Sequence, residues 1–582
     1  MKKFILICLA ALLALLLCAC GKAPVEERVL VSIIETEGLT VDDNGKWVEP
    51  GKNAGFILHI PEGLTLTGTN YGGACTIEQN GDLAKLLLKD VRRPTRVTLK
   101  LTSYSRSIAY EPNGGDGIPV TVSYDVSVHS RPNTSTGTEL FCREGYTLTA
   151  WNTERDGSGE RIGLGSRVTV PQEGLTLYAQ WAKWTDAADF LYEGEETITV
   201  TGYIGQATEL VIPEKIEGKP VNAIASGAFA GAEVQTVVLS KSLVRIDDGA
   251  FSGCTLASLV VFDNIETIRD ACFDRCENLQ TLYINAIEAP YGYLYRRESV
   301  YADKVDLLIL AQGQPKLVFY GGCSMWYNLN GAEAERQFGE RYRVINMGLN
   351  GTVSSLVQME IMENYLEEGD ILLHTPELCS IQQLLTYHNM SSSDDKLWCG
   401  LEYNYDLFAL VDLRGLGGVF DSLQGYLGLK TKESGYDQQY VGSHGQLYMD
   451  ATGSIPFERS VQTSELIDEV LLDPNYLRAD RLSLLRSFYE RFAEKGVRVY
   501  VSYAGVNMDA VPDEQRNQVG GMDELFRAFV SETEGAVLIS RLEDYLFANE
   551  DFYDTNYHML SEAADRNTAL WLRDLEVALH EN

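Results

Sequence analysis

Residues 316–324 read KLVFYGGCS, a short apolar run closed by two glycines, with Ser324 directly after them. A run of this length between turn signals is the pattern of a buried strand, and a glycine turn at its end presents the following serine at the edge of a sheet. The same short run returns as YRVIN at 342–346, DILLHT at 370–375, VRVYVSY at 497–503 and AVLIS at 536–540, with helical stretches at 353–366, 476–495 and 523–532 between them. Strands alternating with helices predict a parallel sheet with helices on both faces, whose working residues gather at the C-terminal strand ends. Near the end of the chain, DTNYH sets Asp554 four residues before His558. A serine, a histidine to take its proton and an acid to orient the histidine are the ingredients of a serine hydrolase or acyltransferase.

The chain has 582 residues, enough for about four domains, and 45% apolar content supplies real cores. Lys2 and Lys3 precede an apolar stretch at 4–17 and then Leu17-Cys-Ala-Cys-Gly21, which reads as an export signal over 1–20 that is too short to span a bilayer. Leu-Cys-Ala-Cys-Gly resembles the bacterial lipobox. That resemblance implies an exported protein, lipid-anchored through Cys20 to the outer face of a bacterial membrane, with residues 22–27 as the tether. With 83 acidic against 48 basic side chains the net charge is −35, which disfavours nucleic acid and any anionic lipid contact beyond the anchor. Cys75, Cys142, Cys254, Cys272, Cys276, Cys323, Cys379 and Cys399 form no CxxC pair. They suggest neither a disulfide framework nor a metal site, and no cofactor is expected.

Residues 25–104 alternate apolar and polar positions between Gly, Asn and Asp turns, as a small all-β domain would. Residues 105–182 carry YEPNGG, Gly145-Tyr146, Trp151, DGSG and LYAQW, and this unit resembles one copy of the internalin B-repeat found on bacterial surface proteins. The resemblance implies a small β-rich spacer. Between 185 and 290 the chain repeats itself at a step of 22: Ile224, Ile246, Ile268, and Phe229, Phe251, Phe273. A constant period is the signature of a solenoid, and three or four repeats are visible. The copy GAFSGC at 249–254 carries a resemblance to BspA-type leucine-rich repeats. Cys254 and Cys276 share that register and are expected as small buried hydrophobes.

The last region, 295–582, is similar to the SGNH (GDSL-like) hydrolase superfamily through four blocks: GGCS at 321–324, NMGLNG at 346–351, HTPE at 374–377 and DTNYH at 554–558. The resemblance implies a three-layer α/β domain in which Ser324 is the nucleophile, His558 the base and Asp554 its partner. The backbone N–H groups of Ser324 and Gly351 would face the oxyanion, with Asn350 able to aim its amide at the same place. Gly322, Asn346, Gly348 and Glu377 would shape the site. Three positions depart from the family pattern. Cys323 replaces the usual Asp, Pro376 stands where an oxyanion Asn is normal and has no N–H to offer, and Asp554 lies one residue further from the histidine. An insertion at 381–471, aromatic and glycine-rich, is expected as a cap over the strand ends.

The expected architecture is therefore multidomain: N-terminal all-β domains, a short leucine-rich-repeat solenoid and a C-terminal α/β domain. The expected function is a surface-anchored serine esterase or O-acyltransferase acting on acyl groups, acetyl foremost, of a glycan or cell-envelope polymer. The alternative is a non-catalytic surface adhesin with a degenerate hydrolase domain, and in either case the repeats can carry a protein or host ligand.

Overall fold

The computed structural model describes residues 28–34, 39–61, 64–71, 75–80, 83–103, 105–125, 131–137, 140–171, 173–269, 271–287, 300–349, 355–377, 398, 400–401, 404–411, 426, 449–450, 452–455, 459–462, 470 and 479–581. Cys20 and most of the 381–471 insertion lie outside them. The chain divides into two compact units, 1–105 with 125–128, and 106–124 with 129–582.

The first unit is all strand. Lys52–His59 turns Ala54, Phe56 and Leu58 inward, and Leu83–Val91 pairs with it antiparallel so that Ala84, Leu86 and Leu88 meet them. This period-two alternation buries one face of each strand against a common apolar core that also takes in Val31, Ile33 and Val97.

The second unit opens with a five-stranded sheet in which Ser105–Glu111 pairs parallel with Leu175–Lys183. Its core is Trp151 against Tyr110 and Phe141, and the Trp151 indole N–H donates to Ser135 O at 2.7 Å. Next comes the solenoid, whose strands Glu209–Val211, Thr236–Val238, Ser258–Phe262 and Thr281–Asn285 pair in parallel, one per turn. Phe229, Phe251 and Phe273 stack with ring centroids 4.8 and 5.4 Å apart and planes within 4°. Positive φ also repeats at the 22-residue step, at Gly227, Gly249 and Ala271, and at Gly231, Gly253 and Arg275. The last turn thus holds non-glycine residues where the two before it use glycine, a local strain of about 1 kcal/mol each. Cys254 and Cys276 do more than fill space: each thiol donates to the carbonyl of the phenylalanine one repeat earlier, Phe229 at 3.0 Å and Phe251 at 3.2 Å.

The solenoid is not free-standing. Val238, Val260 and Phe262 pack into the core of the preceding sheet beside Trp151 and Leu164, and Asn285 ties the two by accepting from Leu164 N–H and donating to Thr149 O. Its own apolar core runs on without a break from Phe190 into the C-terminal domain as far as Ala578.

That domain is an α/β fold around a five-stranded parallel sheet in the order 343–346, 316–321, 371–375, 498–501, 536–538. The chain starts at Lys316–Gly321, steps to one side and returns to the other, so the topological switch lies between Lys316–Gly321 and Ile371–Thr375. Ligands of such sheets bind outside the carboxyl ends of those strands. The helix Val300–Leu310 is fastened to the 105–182 region by buried charges: Arg167 Nη1 donates to Asp303 (2.6 Å) and Asp306 (2.7 Å), and Arg131 Nε to Asp306 (2.8 Å). Arg167 serves both carboxylates, so removing it would strip charge compensation from a buried cluster, a loss on the order of 3–5 kcal/mol.

Candidate active site

Lys316–Gly321 is buried along its whole length and delivers the chain through Gly322 to the short helix Cys323–Asn328. Ser324 sits in its first turn, wholly buried, and its Oγ has no hydrogen-bond partner among the described residues. Polar atoms so placed are rare and call for an explanation.

His558 and Asp554 come together. Asp554 Oδ1 lies 2.6 Å from His558 Nδ1, with the imidazole buried and the carboxylate one-third exposed. The residue by which this spacing exceeds Asp-x-x-His is absorbed by a local turn. Thr555 Oγ1 accepts from Tyr557 N–H and His558 N–H, while Tyr553 N–H donates to His558 O and Phe552 bridges Met559. The two ends of the loop close on themselves and both side chains face one way.

This loop is bolted to the serine's helix. Asn328 Nδ2 donates to Tyr557 O at 2.9 Å and Asn328 Oδ1 accepts from Met559 N–H at 2.8 Å. The His558 ring lies flat on Tyr327, centroids 3.6 Å apart and planes within 6°. Ser324 and Tyr327 are three apart on one helix, hence neighbours on its surface. The imidazole is therefore held beside the helix turn that carries Ser324, without a hydrogen bond to its Oγ in this state. Arg459, from the insertion, donates to Tyr327 O and Met559 O and clamps both sides of this junction.

Asn346 and Gly348 shape the second block. Asn346 Oδ1 accepts from Gly348 N–H, and its Nδ2 reaches Ser454 Oγ and Met325 O. Beneath them Lys304 Nζ donates to Asn346 O and Gly453 O, both at 2.7 Å, and burial holds its ammonium pKa well below the ordinary value. Gly351 and Asn350, expected to serve the oxyanion, lie outside the described residues.

The third block departs from expectation in a specific way. The Ser324 backbone N–H, expected to face an oxyanion, donates instead to Glu377 Oε1 at 3.0 Å. Glu377 is buried, and it fits because residue 322 is glycine: a Cβ there would stand 2.5 Å from Oε1 and 2.9 Å from Oε2. A cavity of about 20 Å³ lies beside Glu377, lined also by Pro376, Tyr503, Gly505, Asn556 and Tyr557 among others. It has room for little more than one small group. Asn556 is oriented there by Asn507, whose Nδ2 donates to its Oδ1 at 2.7 Å.

His374 takes no part. It is buried behind the site, stacked on Tyr320 and 2.6 Å from Tyr489 Oη, and burial lowers its pKa to about 3, so it stays neutral. Lys304, Asn328, Arg459 and Asn507 escaped sequence reading, since none sits in a motif. In the solenoid, Cys272 and Cys276 are engaged separately with backbone carbonyls of the preceding turn, at Asp247 and Phe251.

Comparison with known proteins bears on the front half of the chain. A model described as the BspA type leucine rich repeat region matches residues 206–294 in six copies, more than the three or four visible from the period alone. A model described as the Listeria-Bacteroides repeat domain matches residues 107–180. Two proteins of Evansella cellulosilytica are similar over short segments. A "Putative membrane protein" is 42% identical over 79 residues, 13% of this chain and 11% of the relative, and a "Putative Gly-rich membrane protein" is 41% identical over 75 residues, 12% and 9%. The chain thus spans about a tenth of the length of these relatives. Among solved structures, the leucine rich repeat protein of T. pallidum aligns at 26% identity over 24% of this chain and 60% of that one, with a TM-score of 0.17. The chain carries a Listeria-Bacteroides repeat unit followed by BspA-type leucine-rich repeats, ahead of an α/β domain with a parallel sheet.

Proposed function

We propose that the C-terminal domain is an SGNH-like serine esterase or O-acyltransferase, carried on the bacterial surface by a lipid on Cys20 and acting on acyl groups of a glycan or cell-envelope polymer. The observation that carries this reading is the Asp554–His558 pair, 2.6 Å apart, with the His558 ring stacked on Tyr327 of the helix that carries Ser324. In the reaction Ser324 Oγ attacks the ester carbonyl carbon while His558 Nε2 takes its proton. Asp554 holds the Nδ1–H and stabilises the imidazolium. The carbon–alkoxide bond then breaks, the alkoxide leaves with the proton from His558, and the acyl group stays on Ser324. Water or an acceptor hydroxyl, deprotonated by the same imidazole, releases it. The repeats are proposed to hold a protein or host ligand.

The test is hydrolysis of 4-nitrophenyl acetate by the purified whole chain. Ser324→Ala and His558→Ala are each expected to lower kcat on the order of a thousandfold, and rates equal to wild type in both variants would remove the catalytic reading. A second reading, a surface adhesin with a degenerate hydrolase domain, is favoured by one observation: the Glu377 carboxylate occupies the Ser324 N–H.

A further inference from the structure

We propose that Glu377 gates the site: its carboxylate stands where the reaction's oxyanion would form, and an ester carbonyl enters only when that side chain withdraws. This inference rests on the serine-enzyme reading above. Glu377 Oε1 lies 3.0 Å from Ser324 N, the distance at which an oxyanion takes its donor. A negative oxygen already at that point both consumes the donor and repels the charge that would develop on the carbonyl oxygen.

The seat is built for it. Gly322 has φ −77° and ψ −152°, so its φ is not in the left-handed region that favours glycine. What requires glycine here is space, because both carboxylate oxygens lie within 2.9 Å of where a Cβ would be. Ser324 Oγ is buried and unpartnered among the described residues, the state expected of a nucleophile waiting behind a closed entrance. The cavity lined by Glu377, Tyr503, Gly505 and Tyr557 gives the carboxylate a direction in which to move. In the open state the attack is unchanged from that described above: the Oγ–C bond forms, the carbonyl π pair moves to oxygen, and Ser324 N–H, now released, donates to it.

The whole chain is compared as wild type, Glu377→Ala, Glu377→Gln and Gly322→Ala, each also with Ser324→Ala. The readouts are the rate of covalent labelling by a fluorophosphonate, mapped to its residue by mass spectrometry, and 4-nitrophenyl acetate turnover. Since one oxyanion donor is worth about 10²–10³ in rate, Glu377→Ala is expected to label Ser324 roughly 10- to 100-fold faster than wild type. Gly322→Ala, which pushes the carboxylate off its seat by a separate route, is expected to move the same way. Glu377→Gln keeps an oxygen for the N–H and is expected to fall between. Wild type labelled at Ser324, with Glu377→Ala and Gly322→Ala no faster, overturns the gate and leaves the serine enzyme standing. No labelling at Ser324 in any chain overturns the serine enzyme, and the gate with it. A variant that loses its cooperative melting transition is set aside, and the other carries the comparison.

Discussion

In the solenoid a residue meets its counterpart one turn away, whereas in the α/β domain the decisive contacts join residues more than two hundred positions apart. Phe251 stacks on Phe229 and Phe273, each 22 residues off, and Cys254 and Cys276 repeat one hydrogen bond at the same step. Asn328 instead holds the loop at Tyr557 and Met559, and Thr568 Oγ1 returns to Asn328 O. The first arrangement adds stability turn by turn from short loops, and the second forms only when the whole domain closes. A site assembled the second way has its geometry fixed by the last contacts to form.

Acid should separate the two regions most sharply. The folded pKa of His374, about 3, lies below the unfolded value near 6.5, so the unfolded chain binds a proton that the folded one refuses. Its stabilising effect is complete above pH 6.5 and is lost as the pH falls towards 3, on the order of several kcal/mol. Denaturant unfolding across that window should show the loss in wild type and a flatter profile in His374→Asn; equal slopes would exclude His374 as the cause. Next in size, Phe251→Ala should destabilise by roughly 3–5 kcal/mol, while Phe273→Ala, partly buried and at the end of the stack, should lose less. Equal losses in urea titrations would mean that stacking does not accumulate along the array. The smallest effect is chemical. Burial raises the thiols of Cys254 to about 11 and Cys272 to about 12. At pH 8 a thiol reagent should leave both untouched in the native protein while the exposed Cys142 reacts. Fast labelling of Cys254 would show that the array opens on its own, independently of the domain it shares a core with.

The repeat register could be read directly because identical environments impose identical residues at a fixed step, and the strands of the α/β domain because buried parallel strands are short apolar runs. Asp554 and His558 were visible as residue types, but their contact depended on the turn at Thr555, which a motif spacing does not encode. Glu377 stood in the right block as a site-shaping residue, without its bond to the Ser324 N–H. Its position against Gly322 follows from the packing of two strand ends, and the sequence carries no period that links them. Arg167, Asp303 and Asp306 were invisible for the same reason, since a buried ion cluster between distant segments leaves no pattern in either.

The parallel pairing of Ser105–Glu111 with Leu175–Lys183 has a mechanical meaning. The chain enters the second unit along the first strand and leaves this sheet at the far end of the second. Tension drawn along it pulls the two strands from opposite ends, so the hydrogen bonds between Ile108–Glu111 and Leu175–Tyr178 share the load in shear rather than opening one at a time like a zip.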